Sequence, residues 1–199
     1  MKRWNAANML DIGRKLFEKI YKKKRSVRHN HPIHFLAREI DDWLSGGVQS
    51  MINGTYTPHY LKRRYFYDEV VDQLHLSDRI LQHILLKQLK PTIKHVTHPS
   101  CVHVHGPSKG IKIATQRIQE ALKTRQYNYI IRADIRSFYK SISHFRLLDD
   151  LKKIYDDPKL ISMFEQIIRN PIETGRGYKT QTPALRCEVP CRSSSVRYI

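Results

Sequence analysis

The sequence predicts an α/β chain of the α+β kind, mostly helical with a small sheet. Three observations predict it. Apolar residues recur at helical spacing at roughly 5 to 24, 32 to 45, 76 to 89, 109 to 123, 144 to 155 and 158 to 169. The run Tyr129 to Ile135 is rich in β-branched and aromatic types and reads as a buried central strand over 127 to 134. The segment Tyr60 to Tyr67, Tyr-Leu-Lys-Arg-Arg-Tyr-Phe-Tyr, follows the turn Gly54-Thr55-Tyr56-Thr57-Pro58 and reads as extended.

The first helix is basic and amphipathic. Met9, Leu10, Gly13, Leu16, Phe17 and Ile20 fall near one face, and Lys15, Lys19, Lys22, Lys23, Lys24 and Arg25 crowd its second half, where the helix dipole favours cations. Phosphate contact and a plain solvated face both fit it. The second helix enters through Pro32 and carries Phe35, Ile40, Trp43 and Leu44; Gly46-Gly47 is expected to break it, with a restart at Val48 to Ile52. Tyr60 to Tyr67 suits a nucleic-acid surface, because rings stack on bases while Lys and Arg neutralise phosphates; a hairpin strand with no ligand fits equally. Val70 to Leu89 carries Leu74, Leu76, Ile80, Leu81, Ile84, Leu85 and Leu89 and gives an apolar helix over 76 to 89, with Ser77 as its expected N-cap and Pro91 as its expected end. Asp157 before Pro158 is a cap and first-turn pair.

Charge narrows the partners. The chain has 36 Lys plus Arg against 18 Asp plus Glu, a net +18, in 199 residues. Such an excess calls for a polyanion, and nucleic acid is the first choice. An anionic membrane surface is the competing partner. No apolar run approaches the ~20 residues of a membrane span, and the N-terminus shows no signal-peptide core. The three cysteines, Cys101, Cys187 and Cys191, fit a reducing cytosol rather than a disulfide framework, so the expected location is cytoplasmic.

The chemistry centres on Tyr129-Ile130-Ile131-Arg132-Ala133-Asp134-Ile135-Arg136-Ser137-Phe138-Tyr139. A carboxylate buried at the end of an apolar strand costs several kcal/mol unless compensated, and a divalent cation compensates it. A core strand whose Asp caps the next segment is the other reading. The stretch resembles the first catalytic motif of the reverse transcriptase palm, the Asp-x-x-x-aromatic-aromatic pattern of group II intron-type and bacterial retroelement enzymes. Upstream, Leu76-Ser77-Asp78-Arg79-Ile80-Leu81-Gln82-His83-Ile84-Leu85-Leu86, continuing to Leu89-Lys90-Pro91, is similar to the fingers helix of the same enzymes. The two matches are independent and stand in the family's order.

The resemblance covers roughly residues 30 to 180. It implies the fingers and an incomplete palm of a right-hand, RNA-directed DNA polymerase. The domains would be a basic N-terminal helix (1–30), a fingers-like region (31–126), a partial palm (127–180) and an irregular, disordered tail (181–199). Asp134 would be catalytic and hold Mg2+, or Mn2+, with the Ile135 carbonyl as a second ligand. Tyr139 would pack under the nucleotide sugar and Phe138 into the palm. Partners would be an RNA template, a DNA primer or RNA–DNA hybrid, and a dNTP, with Lys62, Arg63, Arg64, Arg79 and Lys109 on the nucleic acid. The family's Tyr-Gly-Phe-Arg turn is replaced here by Cys101-Val102-His103-Val104-His105-Gly106-Pro107-Ser108-Lys109-Gly110.

Neither the family's Gly-Ile-Pro-Gln-Gly-type turn nor its paired-Asp hairpin follows. Tyr155-Asp156-Asp157 is best read as a helix cap and Asp149-Asp150 as a solvated face. Two-metal catalysis needs carboxylates from both motifs around ions about 4 Å apart, so the chain is expected to be truncated and inactive alone. The alternatives are a non-catalytic RNA-binding module derived from a reverse transcriptase and, third, a basic membrane-surface protein. His95, His98, Cys101, His103 and His105, with Cys187 and Cys191, are weighed as a zinc cluster against a plain hydrogen-bonded turn.

Overall fold

The computed structural model of the chain describes residues 4–67, 70–96, 98, 110–124, 127, 129, 131–133 and 142–179. Their elements, in order, are α1 (Ala6–Lys24), α2 (Pro32–Arg38), α3 (Ile40–Asn53), β1 (Leu61–Tyr65), β2 (Val70–Gln73), α4 (Leu76–Val96), α5 (Ile111–Lys123), α6 (His144–Ile154), α7 (Pro158–Ile168), β3 (Ile172–Glu173) and β4 (Tyr178–Lys179). The fold is mixed α/β and mostly helical. The four strands form one sheet in the order β2-β1-β3-β4. β1 pairs antiparallel with β2 and parallel with β3, and β3 pairs antiparallel with β4.

The chain divides into two compact units, one from Met1–Gln88 with Ser137–Ile199 and one from Leu89–Arg136. In the first, α1 starts where the Asn5 side chain accepts from the Asn8 N–H at 3.2 Å, and it buries Met9, Gly13 and Phe17. Gly13 is small because it must be: a Cβ there would sit 2.7 Å from Leu44 Cδ1 and 3.0 Å from Ile84 Cδ1. That contact lets α1 lie close on α3 and on the start of α4, around the fully buried Met9, Leu44, Ile80 and Ile84.

The single helix expected at 32 to 45 is two. The chain turns at Glu39 (φ −113°, ψ 20°), and α3 then runs unbroken through Gly46-Gly47 to Asn53. The glycines were expected to break the helix. Packing outweighs their poor propensity: a Cβ on Gly47 would lie 2.8 Å from Leu81 Cδ2, so the absent side chain is what seats α3 on α4. The helix stops at Gly54, whose φ of 77° is the left-handed conformation glycine tolerates; its N–H bonds the Met51 carbonyl at 3.1 Å.

Pro91 does not end α4, which continues to Val96. Proline removes one helical hydrogen bond, to the carbonyl of Lys87, and Lys87 lies on the exposed side where water can take that carbonyl. Ser77 is not the cap either, since the helix opens at Leu76 and Ser77 sits inside its first turn. Asp157 caps α7 as expected, accepting from the Lys159 N–H at 3.0 Å. Asp149 and Asp150 pair with Lys153 on an exposed face of α6.

The central strand is the main departure. Tyr127, Tyr129 and Ile131 to Ala133 lie in neither helix nor strand, with Tyr129 87% and Ile131 90% exposed. Composition favours a strand only where a neighbour pairs with it and a second layer covers it. Among the described residues the sheet forms instead from β1–β2 and from two strands, β3 and β4, too short to show a period.

Candidate functional site

Three of the buried polar residues, Ser77, Asp78 and Asn170, meet where the chain enters β1 and where α4 begins. Asp78 stands in the first turn of α4 with 1% of its surface exposed. Its Oδ1 accepts from the Tyr56 hydroxyl at 2.9 Å, and its Oδ2 accepts from the His59 backbone N–H at 2.9 Å. The His59 ring adds Nδ1 at 3.0 Å from the same oxygen. Gln82, one turn along α4, points its amide at the Tyr56 oxygen. Burial, then the Asp78 charge, pushes the Tyr56 phenol far above its ordinary value, so it donates and stays neutral.

Two more contacts complete the cluster. The His75 ring hydrogen-bonds the Ser77 hydroxyl through Nδ1 and stacks on His59 with ring centres 4.4 Å apart. Burial first, and the neighbouring His59 second, lower the pKa of His75. The Asn170 amide, just past α7, donates to the His59 carbonyl at 2.7 Å across 111 residues of sequence. Asp78 therefore ties the loop before β1 to α4, and Asn170 ties the same loop to the end of α7. Beside it opens a pocket of about 470 Å3 between Thr57-Pro58, Tyr60 and the 165–171 segment, with the buried Gln166 Oε1 facing no hydrogen-bond partner among the described residues.

The hairpin above this cluster is the basic element. Strand alternation sends Leu61 and Arg63 inward and Lys62 and Arg64 to solvent. Arg63 lies directly across from Asp72 and holds it with both arms of its guanidinium, Nε to Oδ1 at 2.6 Å and the second nitrogen to Oδ2 at 2.9 Å. The Arg63 side chain keeps 14% of its exposure and that of Asp72 none. The hydrogen bond to Asp72 raises the Arg63 pKa. Arg64 Nε donates to the neutral amide of Gln73. Tyr65, Phe66 and Tyr67 are largely exposed beyond them.

Of the residues singled out from sequence, Lys62, Arg64 and Arg79 are exposed on the hairpin and on α4, while Arg63 is engaged inside the hairpin. Asp134, Ile135, Phe138, Tyr139 and Lys109 lie outside the described residues, as do Cys101, His103, His105, Cys187 and Cys191 of the possible zinc cluster. His95 and His98 are exposed. Sequence reasoning missed Tyr56, His59 and His75. Their one signal was the pair Ser77-Asp78 in an otherwise apolar helix start, since a carboxylate there must find donors. No helix among the described residues is long and apolar enough to cross a membrane.

No protein-family model matches the sequence, and no curated protein matches it.

Proposed function

We propose that the chain is the fingers and first palm segment of a reverse transcriptase-like, RNA-directed DNA polymerase that acts in the cytoplasm on RNA template and primer. The observation that carries the reading is the ordered pair of motifs: Asp78-Arg79 opening an apolar helix, then Asp134 with Phe138-Tyr139. The basic hairpin in front of that helix supports it, because exposed Lys62, Arg64 and Arg79 with the rings of Tyr65 and Phe66 make a phosphate-and-base surface. Asp134 and the Ile135 carbonyl hold Mg2+ against the triphosphate of a dNTP, and the Tyr139 ring packs under its sugar; Lys109 meets phosphate.

Carboxylates of the second motif are not in this sequence, so the 199-residue chain binds substrate without extending a primer. The test is Mg2+-dependent dNTP binding to the purified chain on an RNA–DNA hybrid, measured by fluorescence anisotropy beside Asp134→Ala. The expected result is dNTP binding that needs the metal and is lost in the variant, with hybrid binding retained. Hybrid binding with no metal-dependent dNTP binding favours the non-catalytic RNA-binding module. Hybrid binding indifferent to salt refutes both.

A further inference from the structure

We propose that His59, His75 and Asp78 form a binding site for a divalent transition metal of the zinc class, separate from any Mg2+ at Asp134. Among the described residues this is the one group of three ligating side chains whose donor atoms all lie within 4.8 Å of one another. Two imidazoles and one carboxylate are borderline donors that suit zinc rather than magnesium, which prefers an all-oxygen shell.

The geometry is close to that of a bound ion. Donors on a tetrahedral zinc with bonds of ~2.0–2.1 Å stand about 3.3 Å apart. His59 Nδ1 and Asp78 Oδ2 are already 3.0 Å apart. The widest separation, 4.8 Å at most, needs an approach of roughly 1.5 Å to reach that spacing. Because His59 and Asp78 are already close, that approach falls to His75, an exposed residue on the short link between β2 and α4, while Asp78 stays fixed. The ion takes the place of the proton shared between His59 Nδ1 and Asp78 Oδ2, which requires His59 to carry its ring proton on Nε2.

The surroundings are those a metal site needs. Asp78 keeps the Tyr56 hydroxyl on one oxygen and the His59 N–H on the other, and still has lone pairs for an ion. The Ser77 hydroxyl engages His75 Nδ1 and lies 3.5 Å from His59 Nδ1, so it helps to orient both rings. Three protein ligands leave the fourth position for water on the exposed side of His59. Such an ion clips the entry of the β1–β2 hairpin to the start of α4, and so stiffens the element that carries Lys62 and Arg64.

The test uses the full chain, freed of metal by chelator and dialysis. Co2+ and Zn2+ are added separately, and the readouts are the visible absorption band of four-coordinate cobalt, zinc calorimetry and Tm. Two variants are compared: His59→Ala/His75→Ala, which removes two partly exposed rings and leaves the Asp78 anchor, and Cys101→Ser/His103→Ala/His105→Ala, which removes the other histidine-rich segment. The expected result is one equivalent of metal, a raised Tm, and affinity weakened by roughly tenfold or more in the first variant only. Absence of a cobalt band in the wild-type chain, an unchanged band in His59→Ala/His75→Ala, or its loss in the second variant would each overturn the proposal.

Discussion

Asp78→Ala tests whether the cluster holds the fold together. The substitution removes an acceptor that two donors share, the buried Tyr56 hydroxyl at 2.9 Å and the part-buried His59 N–H at 2.9 Å. Each donor left without a partner costs about 1–3 kcal/mol, so the sum is about 4 kcal/mol. That is a large part of the ~5–15 kcal/mol that stabilises a domain. With a urea m-value of about 2 kcal/mol/M, the unfolding midpoint falls by about 2 M. Asp78→Asn keeps one acceptor oxygen but turns an amide N–H2 toward the other donor, and costs about half as much. Tyr56→Phe removes one donor and its need together; in the background of Asp78→Ala it therefore costs less than in the wild type, with a coupling of about 1–2 kcal/mol. Urea denaturation followed by far-UV circular dichroism measures all five proteins, the wild type, the three single variants and the double variant. An Asp78→Ala midpoint within 0.5 M of wild type (about 1 kcal/mol), or strict additivity with Tyr56→Phe, would show that water or a rearranged loop replaces the carboxylate and that the cluster is not an anchor.

The remaining predictions concern surface, pH and packing. The triple substitution Lys62→Ala/Arg64→Ala/Arg79→Ala should leave Tm nearly unchanged and lower the slope of log K against log salt for single-stranded RNA by about 2, since each lost phosphate contact is worth ~0.7; an unchanged slope would place the nucleic acid elsewhere. His31 accepts from the Ile33 N–H through its unprotonated Nδ1, and burial, then Lys24, lower its pKa from the ordinary 6.5. The unfolded chain then binds the proton more readily, so this stability is complete above pH ~6.5 and is lost as pH falls below it. His31→Asn keeps a cap without titrating, and its stability should overtake wild type between pH 7.5 and pH 5, by about 1 kcal/mol; parallel curves would exclude the cap. Gly46→Ala, with nothing within 4 Å of its Cβ, should gain up to about 1 kcal/mol of helix propensity. Gly47→Ala, pressed on Leu81, should give up that gain and more; equal effects at the two sites would mean α3 does not seat on α4 at Gly47.

Much of the helical frame was legible because it rests on local chemistry. The cap at Asp157-Pro158, the basic end of α1 and the periodic face of α4 are each written in a few adjacent residues. The errors fall where distant contacts decide. Gly46-Gly47 reads as a break until Leu81 is seen against it, and Glu39, where the chain does turn, has no breaker beside it. Tyr129 and Ile131 have strand composition, yet composition does not supply a neighbouring strand. The parallel pairing of Leu61 with Ile172 joins segments more than a hundred residues apart, and neither two-residue strand β3 nor β4 has a period to detect. The cluster at Asp78 was half legible. The acid stood out in an apolar helix, but nothing in linear spacing pointed to Tyr56, His59 or Asn170 as its neighbours.

The same contacts explain how a chain with few acids presents its charge. On the hairpin and α4, basic and acidic residues alternate closely in sequence: Lys62, Arg63 and Arg64 against Asp72, then Asp78 beside Arg79. Were all of them exposed, the local field would be partly cancelled. Strand register prevents this by setting Arg63 against Asp72, with the acid fully buried, so one cation holds the one acid of the β2 strand. Helix geometry does the same at Asp78, which turns inward onto a phenol, an imidazole and a backbone N–H, while Arg79, one residue on, is exposed. Arg64 leans on a neutral amide and keeps its full charge. The two acids that stabilise this region are thus removed from its surface, and among the described residues of the two strands and the first turn of α4 the charged side chains that face outward are Lys62, Arg64 and Arg79. The carboxylate of Asp78 serves folding and phosphate attraction at once, because turning inward it leaves its sequence neighbour Arg79 facing the solvent, whereas Asp72 takes Arg63 inward with it.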